Sequence, residues 1–309
     1  MLTAAALRAQ DATTSEAVIA QLRGAAAFDA LAAAEAADTA ARDRADDEKL
    51  QAGVDLAVAK GVLPAGLVPA PYHAIAVEGK TTDEITAEII ARLPAGEGAV
   101  IVLVGLSGTG KGTTVARLSA QLPRAVTWSN GNVFRALTLL AVKWCEARGL
   151  PAFAAAAALT PENLADFMGM LTFARVGEGF DTRISGLGVD ALVADIANTE
   201  LKAPAVARNI PTVANATQGE VVGFVARATR LMSDAGMNVI IEGREATVNH
   251  IPTSFRFALT LNDPATIGRR RAAQRVMAAA AKALGARDAT PEEVDAALRD
   301  AVREMAPAA

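Results

Sequence analysis

Residues 99–118 read AVIVLVGLSGTGKGTTVARL. The apolar run Ala99 to Val104 predicts a fully buried strand, because no alternation leaves one face to water. It runs directly into Gly105-Leu106-Ser107-Gly108-Thr109-Gly110-Lys111, and Gly112-Thr113-Thr114 then opens an amphipathic helix. A G-x-x-x-x-G-K loop between strand and helix is the context in which such a loop binds nucleotide phosphates. Its glycines let backbone N–H groups turn toward phosphate oxygens, and the helix N-terminus adds partial positive charge. The expected nucleotide-binding set is therefore Gly105, Ser107, Gly108, Thr109, Gly110, Lys111, Gly112, Thr113 and Thr114. Lys111 is expected to reach the β- and γ-phosphates of the nucleotide, and the Thr113 hydroxyl to help hold Mg²⁺.

Alanine supplies much of the 52 % hydrophobic content and aromatics are only 4 %, which predicts a helix-rich, finely packed core. Residues 1–95 carry a net charge of about -6 and the remainder about +2, so the basic balance accompanies the loop. The overall charge of -4 gives no general attraction to nucleic acid or to an anionic membrane. The single Cys145 excludes an intrachain disulfide and reads as a buried small hydrophobe, and His73 and His250 have no Cys or His partners for a zinc site. No apolar stretch reaches membrane-spanning length, and the first residues have neither a signal nor a transit pattern. The expected setting is cytoplasmic, with an organelle left open, and the expected state is a monomer.

Taken in order, residues 1–60 predict two or three helices, with Val18, Leu22, Ala26 and Leu31 near helical spacing. The charged run Arg42 to Lys49 reads on pattern alone as a solvated helix face. A Pro/Gly connector covers 61–72, His73–Val77 predicts a short strand, and Thr81 or Thr82 caps a helix through Leu93. After the loop helix, Ala125–Trp128 predicts a second strand ending in Ser129-Asn130-Gly131-Asn132. Residues 151–175 read as helical and 176–205 as irregular or weakly strand-like. A helix follows from about Gly219 to Ala235, then strands at Met237–Ile241 and Phe255–Leu261, and a helix after Asn262-Asp263-Pro264 that carries Arg269, Arg270, Arg271 and Arg275. Alternating strands and helices give an α/β class with a parallel sheet, and active groups should gather at the strands' carboxyl ends.

The polar clusters at those ends resemble the cytidylate kinases, a branch of the nucleoside monophosphate kinases. The G-K-G-T form of the loop is theirs rather than that of GTPases, and no N-K-x-D guanine signature is present. Their acidic-Ser-Gly-x-x-Tyr-Arg segment corresponds to Ser129 through Arg135, where the Arg remains and the Asp, Ser and Tyr do not. Their Asp-Gly-Arg-Asp corresponds to Glu242-Gly243-Arg244-Glu245, and their Ile-Arg pair loosely to Leu201-Lys202. The resemblance implies a P-loop NTPase fold, with a five-stranded parallel sheet flanked by helices and with lid and nucleotide-monophosphate-binding insertions.

The family's lid motif, R-D-x-x-D-x-x-R, follows its Arg-rich helix and precedes a connector, a fifth strand, a Thr-rich turn and a last helix. Here those parts stand in front: Arg42-Asp43-x-x-Asp46-x-x-Lys49, Leu67-Val68-Pro69, His73–Val77, Lys80-Thr81-Thr82 and 83–93. This order implies a single kinase domain over 1–309, circularly permuted and opened in the lid. Residues 1–98 then hold part of the lid, the fifth strand, the last helix and a linker; 99–262 the core strands and monophosphate-binding region; and 263–309 the lid helices. The competing arrangement is a separate helical domain before the linker 94–98.

The resemblance implies transfer of phosphate from ATP to CMP, dCMP or UMP, with Mg²⁺ as cofactor. Lys111, Arg135, Arg244 and Arg42 would be catalytic, and Arg270 would join the loop in binding ATP. Asn130, Arg135, Lys202, Arg244, Glu245, Asp46 and Lys49 would bind the acceptor nucleotide, with Thr113 and Glu242 at the metal. Each has a plain alternative: Arg135 and Arg244 pairing with carboxylates, Glu245 capping a helix, Trp128 and Phe134 filling core. The rival activities are a kinase for another small acceptor, or a nucleotide-binding regulator with little catalysis.

Overall fold

A computed structural model describes residues 2–9, 12–261, 263, 265–286 and 288–306. Among the described residues there are eight strands: β1 (His73–Ala76), β2 (Val100–Gly105), β3 (Ala125–Trp128), β4 (Leu171–Val176), β5 (Gly179–Gly186), β6 (Val189–Leu192), β7 (Asn238–Glu242) and β8 (Phe255–Thr260). Five form a parallel sheet in the order β1-β8-β2-β7-β3. Its central strand β2 is buried from Val100 to Val104, as a parallel strand covered by helices on both faces requires. The chain is thus α/β, with a five-stranded parallel sheet flanked by helices. Among the described residues, no helix is long and apolar enough to cross a membrane.

β1 lies at the sheet edge beyond β8, with Ile75 opposite Leu259. The helix after it, Thr82–Ile90, starts where expected: Thr81 accepts from the Glu84 amide at 3.2 Å, and the Glu84 carboxylate accepts from the Thr81 amide at 2.7 Å. It ends three residues before Leu93. The strands Asn238–Glu242 and Phe255–Thr260 shift by a residue at their ends from the expected bounds. Asn262 and Pro264, expected to lead into the Arg-rich helix, lie outside the described residues.

Residues 151–205 depart most from expectation. The helix Pro161–Gly169 stops at Met170, and an antiparallel sheet β4-β5-β6 follows: β4 falls where helix was expected, and β5 and β6 where the chain was expected to be irregular or weakly strand-like. Its strands are half exposed and joined by two-residue turns at 177–178 and 187–188, so they show neither a buried run nor a clean alternation. Phe173 stacks on Phe180 and meets Trp128 edge-on, which ties this sheet to the end of β3. Trp128 and Phe134 pack against the main core cluster.

The front of the chain forms helices Ala4–Ala9, Ala12–Gln21 and Ala26–Ala59. The last runs unbroken for 34 residues, about 50 Å. Leu7, Val18, Leu22, Phe28 and Leu31 share one apolar cluster with Val276, Met277, Leu298 and Val302 of the helices Ala265–Leu284 and Pro291–Met305. At the crossing of Ala26–Ala59 with Ala265–Leu284, Gly268 lies so close that an added Cβ would overlap the Ala32 carbonyl oxygen and stand 2.7 Å from the Ala36 Cβ. Gly268→Ala is expected to force the helices apart and cost about 1–3 kcal/mol, read as a lower urea midpoint. An unchanged midpoint would contradict this close packing.

Candidate functional site

The carboxyl ends of β2, β7 and β8 open on a cleft bounded by the glycine-rich loop and by the long helix Ala26–Ala59. The β2 strand ends at Gly105, whose φ of 150° and closeness to the Leu259 carbonyl and the Thr109 hydroxyl leave no room for a Cβ. Buried Thr109 closes the loop by donating its hydroxyl to the Leu106 carbonyl at 2.8 Å. Helix Lys111–Gln121 then begins, with Gly110 as its left-handed cap. Lys111 curls back and donates to the carbonyls of Gly105 at 2.6 Å and Leu106 at 2.9 Å. Burial and then Arg244 push its ammonium below the usual lysine range; Glu242 and Asp43 oppose that, and Arg271 adds to it.

The long helix contributes Asp43, whose side chain is only 5 % exposed. Its carboxylate accepts from the Ser107 amide at 2.9 Å, from the Ser107 hydroxyl at 2.6 Å and from Arg244 at 2.6 Å. Burial alone would raise this carboxyl, but hydrogen bonds from Arg244 and Ser107 outweigh it and hold it at about 2. A carboxyl lowered from its unfolded value near 3.9 stabilises the fold fully above that value, and this stabilisation is lost as the pH falls through about 2. Its size is about 2 kcal/mol. Asp43→Asn is therefore expected to be about 2 kcal/mol less stable than the parent at pH 6, and the gap in urea denaturation to shrink by roughly half at pH 3. A gap that is flat with pH would contradict the ionised contact.

The Arg42–Lys49 run is thus not wholly a solvated face. Arg42 reaches the Thr39 hydroxyl at 3.5 Å, while its neighbour Asp43, absent from the expected site set, holds the loop. Helical rotation puts adjacent residues about 100° apart, so only one of the two can face inward. Asp46 and Asp47 also approach Arg244, at 3.9 and 3.7 Å, and Lys49 is exposed. Glu242, exposed at the end of β7, acts electrostatically on Lys111. Glu245 opens the short helix Glu245–Val248 and lines a cavity of about 610 Å³ with Asp47, Leu106, Arg244 and Thr260.

The Arg-rich helix divides its charges. Arg270 pairs with Glu16 at 3.1 Å and lines a second cavity, about 810 Å³, with Phe28, Lys80, Thr81 and Arg269. Arg271 is the residue whose charge is felt at Lys111, and its Nε is buried with no hydrogen-bond partner among the described residues. The signal for it was helical spacing: Ile267, one turn earlier, has its side chain facing Gly108.

The other expected residues make local bonds. Thr113 is exposed in the first turn after the loop, and the Thr114 hydroxyl donates to the Gly110 carbonyl at 3.0 Å. At the end of β3, Asn130 accepts from the Trp128 indole at 2.9 Å and Arg135 donates to Asn132 at 3.0 Å. Lys202 donates to Asn198 at 2.7 Å, in a turn against helix Gly131–Ala147. Among the described residues, neither Arg135 nor Lys202 bonds to the Asp43–Arg244 pair. Among the described residues, no group of three or more His, Cys, Asp or Glu is arranged to hold a metal ion.

No protein-family model matches the chain, and no curated protein matches it either.

Proposed function

We propose that the chain is a P-loop nucleoside monophosphate kinase of the cytidylate kinase type, its segments in circularly permuted order. ATP is the phosphoryl donor and CMP, dCMP or UMP the acceptor. The observation that carries this reading is the placing of Lys111 and Arg244 at a glycine-rich loop whose Ser107 already holds a carboxylate, with the charge of Arg271 felt at Lys111. Three cations around one loop suit a polyphosphate better than any neutral ligand. The permuted order is supported by β1 at the edge beyond β8, and by the front and rear helices sharing one apolar cluster, as two parts of one lid region would. The sheet β4-β5-β6 stands in the chain where the resemblance puts the monophosphate-binding insertion.

An oxygen of the acceptor phosphate attacks the γ-phosphorus of ATP. The bond from that phosphorus to the β–γ bridging oxygen breaks, and ADP leaves. Phosphoryl transfer asks the protein for alignment and charge neutralisation rather than covalent help. Lys111 leaves the Gly105 and Leu106 carbonyls for the β- and γ-phosphates, and Arg244 and Arg271 hold the transferring group between donor and acceptor. Arg135, Asn130, Lys202 and Glu245 line the acceptor side, with Asp46 and Lys49 for the pyrimidine and Arg42 at the lid edge. The cavity beside Arg270 and Thr81 takes the donor base. Magnesium bound with phosphates needs only one or two protein oxygens, and the exposed Thr113 hydroxyl and Glu242 carboxylate fit that need. When bound, it supplies further neutralisation of the phosphates.

The test is ADP release from Mg-ATP with CMP, dCMP, UMP, AMP or GMP. Turnover that requires a pyrimidine monophosphate supports the reading. ATP binding without turnover on any acceptor contradicts it and favours the regulator, consistent with Asn130 being engaged by Trp128.

A further inference from the structure

We propose that Asp43 occupies the subsite of the donor's terminal phosphate, so that ATP, but not ADP, must expel it in order to bind. The inference rests on the reading of the loop as a donor-phosphate site and adds a determinant of which nucleotide it prefers. The donors around Asp43 are a backbone N–H, a hydroxyl and a guanidinium, at 2.9, 2.6 and 2.6 Å. That set serves a phosphoryl oxygen equally well. Lys111 lies on the Leu106 carbonyl, the residue next to Ser107. In such loops the lysine serves the β/γ end of the nucleotide, which puts Ser107 on the terminal side.

The Ser107 amide has one hydrogen, and Asp43 already takes it. A γ-phosphate at that point competes for the same hydrogen and is repelled by the carboxylate. The last phosphate of ADP stops one group short and leaves Asp43 in place. Expulsion also frees Arg244, which Asp43 otherwise engages while Asp46 and Asp47 crowd it from the same helix. Entry of the triphosphate thus releases a guanidinium for the transferred group, and loss of that phosphate lets Asp43 return.

The experiment is isothermal titration of the full chain with ATP and with ADP, each with Mg²⁺ and without an acceptor. The parent, Asp43→Ala and Asp43→Asn are compared, with circular dichroism to establish that each is folded. Asp43→Ala is expected to bind ATP at least about tenfold more tightly, the scale of one charge-assisted hydrogen bond, with ADP affinity within about twofold. Asp43→Asn keeps the shape without the charge and should fall between. ATP and ADP bound with an unaltered ratio by all three proteins would overturn this proposal alone. Weaker ATP binding by the variants, with ADP unchanged, would overturn it too and would make Asp43 part of the binding site. Binding of neither nucleotide by any of the three would overturn it together with the loop reading beneath it.

Discussion

Lys111→Ala is expected to lower turnover by about 10³-fold while leaving the protein folded. Lys111 is the loop's own cation, and its two bonds go to the carbonyls of Gly105 and Leu106 at the loop's rim. Losing them costs little, because the loop's closure rests on Thr109 and the start of its helix on Thr114. In the proposed phosphoryl transfer the loss is large. Charge moves onto the β–γ bridging oxygen as its bond to phosphorus breaks, and a donor placed there stabilises the transition state more than the ground state. Arg244 and Arg271 remain in the variant but approach from β7 and from the Arg-rich helix, so neither replaces a cation rooted in the loop. Steady-state ADP release and a melting curve together make the check. A variant within tenfold of the parent would mean that Lys111 does not touch the reacting phosphates.

Arg256→Met is expected to destabilise the fold by about 3–5 kcal/mol. Arg256 is 2 % exposed on β8. It donates to the carbonyls of Val248 at 3.1 Å, Asn249 at 3.2 Å and Thr253 at 3.2 Å, to the carbonyl of Ile251, and to the Tyr72 hydroxyl at 3.2 Å. Methionine fills much of the volume but takes the guanidinium donors away from the carbonyls of Asn249, Ile251 and Thr253, at about 1–3 kcal/mol each before relaxation, while the Val248 carbonyl keeps the Ile251 amide at 3.0 Å. The guanidinium also faces the Tyr72 ring, 5.4 Å from its centroid, and so links the chain just before β1 to the end of β8's approach. Since the pinned turn follows the helix Glu245–Val248, the variant is expected to lose activity as well as stability. Urea denaturation reads the first effect; a loss under 1 kcal/mol would show that the turn is held by something else.

The sequence legibly specified whatever is local and continuous. β2 was readable because a strand buried on both faces must be apolar at every position, and the Thr81 cap because its capping box lies within four residues. The sheet β4-β5-β6 was legible only as weak strand character after residue 176, since its half-exposed strands place Thr172, Arg175 and Arg183 among Phe173, Phe180 and Ile184 and break both periodicities. The edge position of β1 depends on pairing with a strand some 180 residues away, which no local pattern encodes; the order of the motifs suggested it. In the site, the loop and Arg244 were legible from residue type and spacing. Asp43 was missed, and Arg271 was not told apart from its neighbours, for one shared reason. A helix carrying Arg42-Asp43-Arg44 or Arg269-Arg270-Arg271 offers three charges in three directions, and only packing fixes which of them faces inward. For the first helix that packing is its crossing at Gly268, and for the second it is Ile267 against Gly108.

The most direct measurement is the identification of products from the full chain incubated with Mg-ATP and CMP, beside Lys111→Ala under the same conditions. The account predicts equal amounts of ADP and CDP from the parent and almost none from the variant. ADP without CDP, or no reaction with CMP, dCMP or UMP while ATP binds tightly, would contradict the kinase reading.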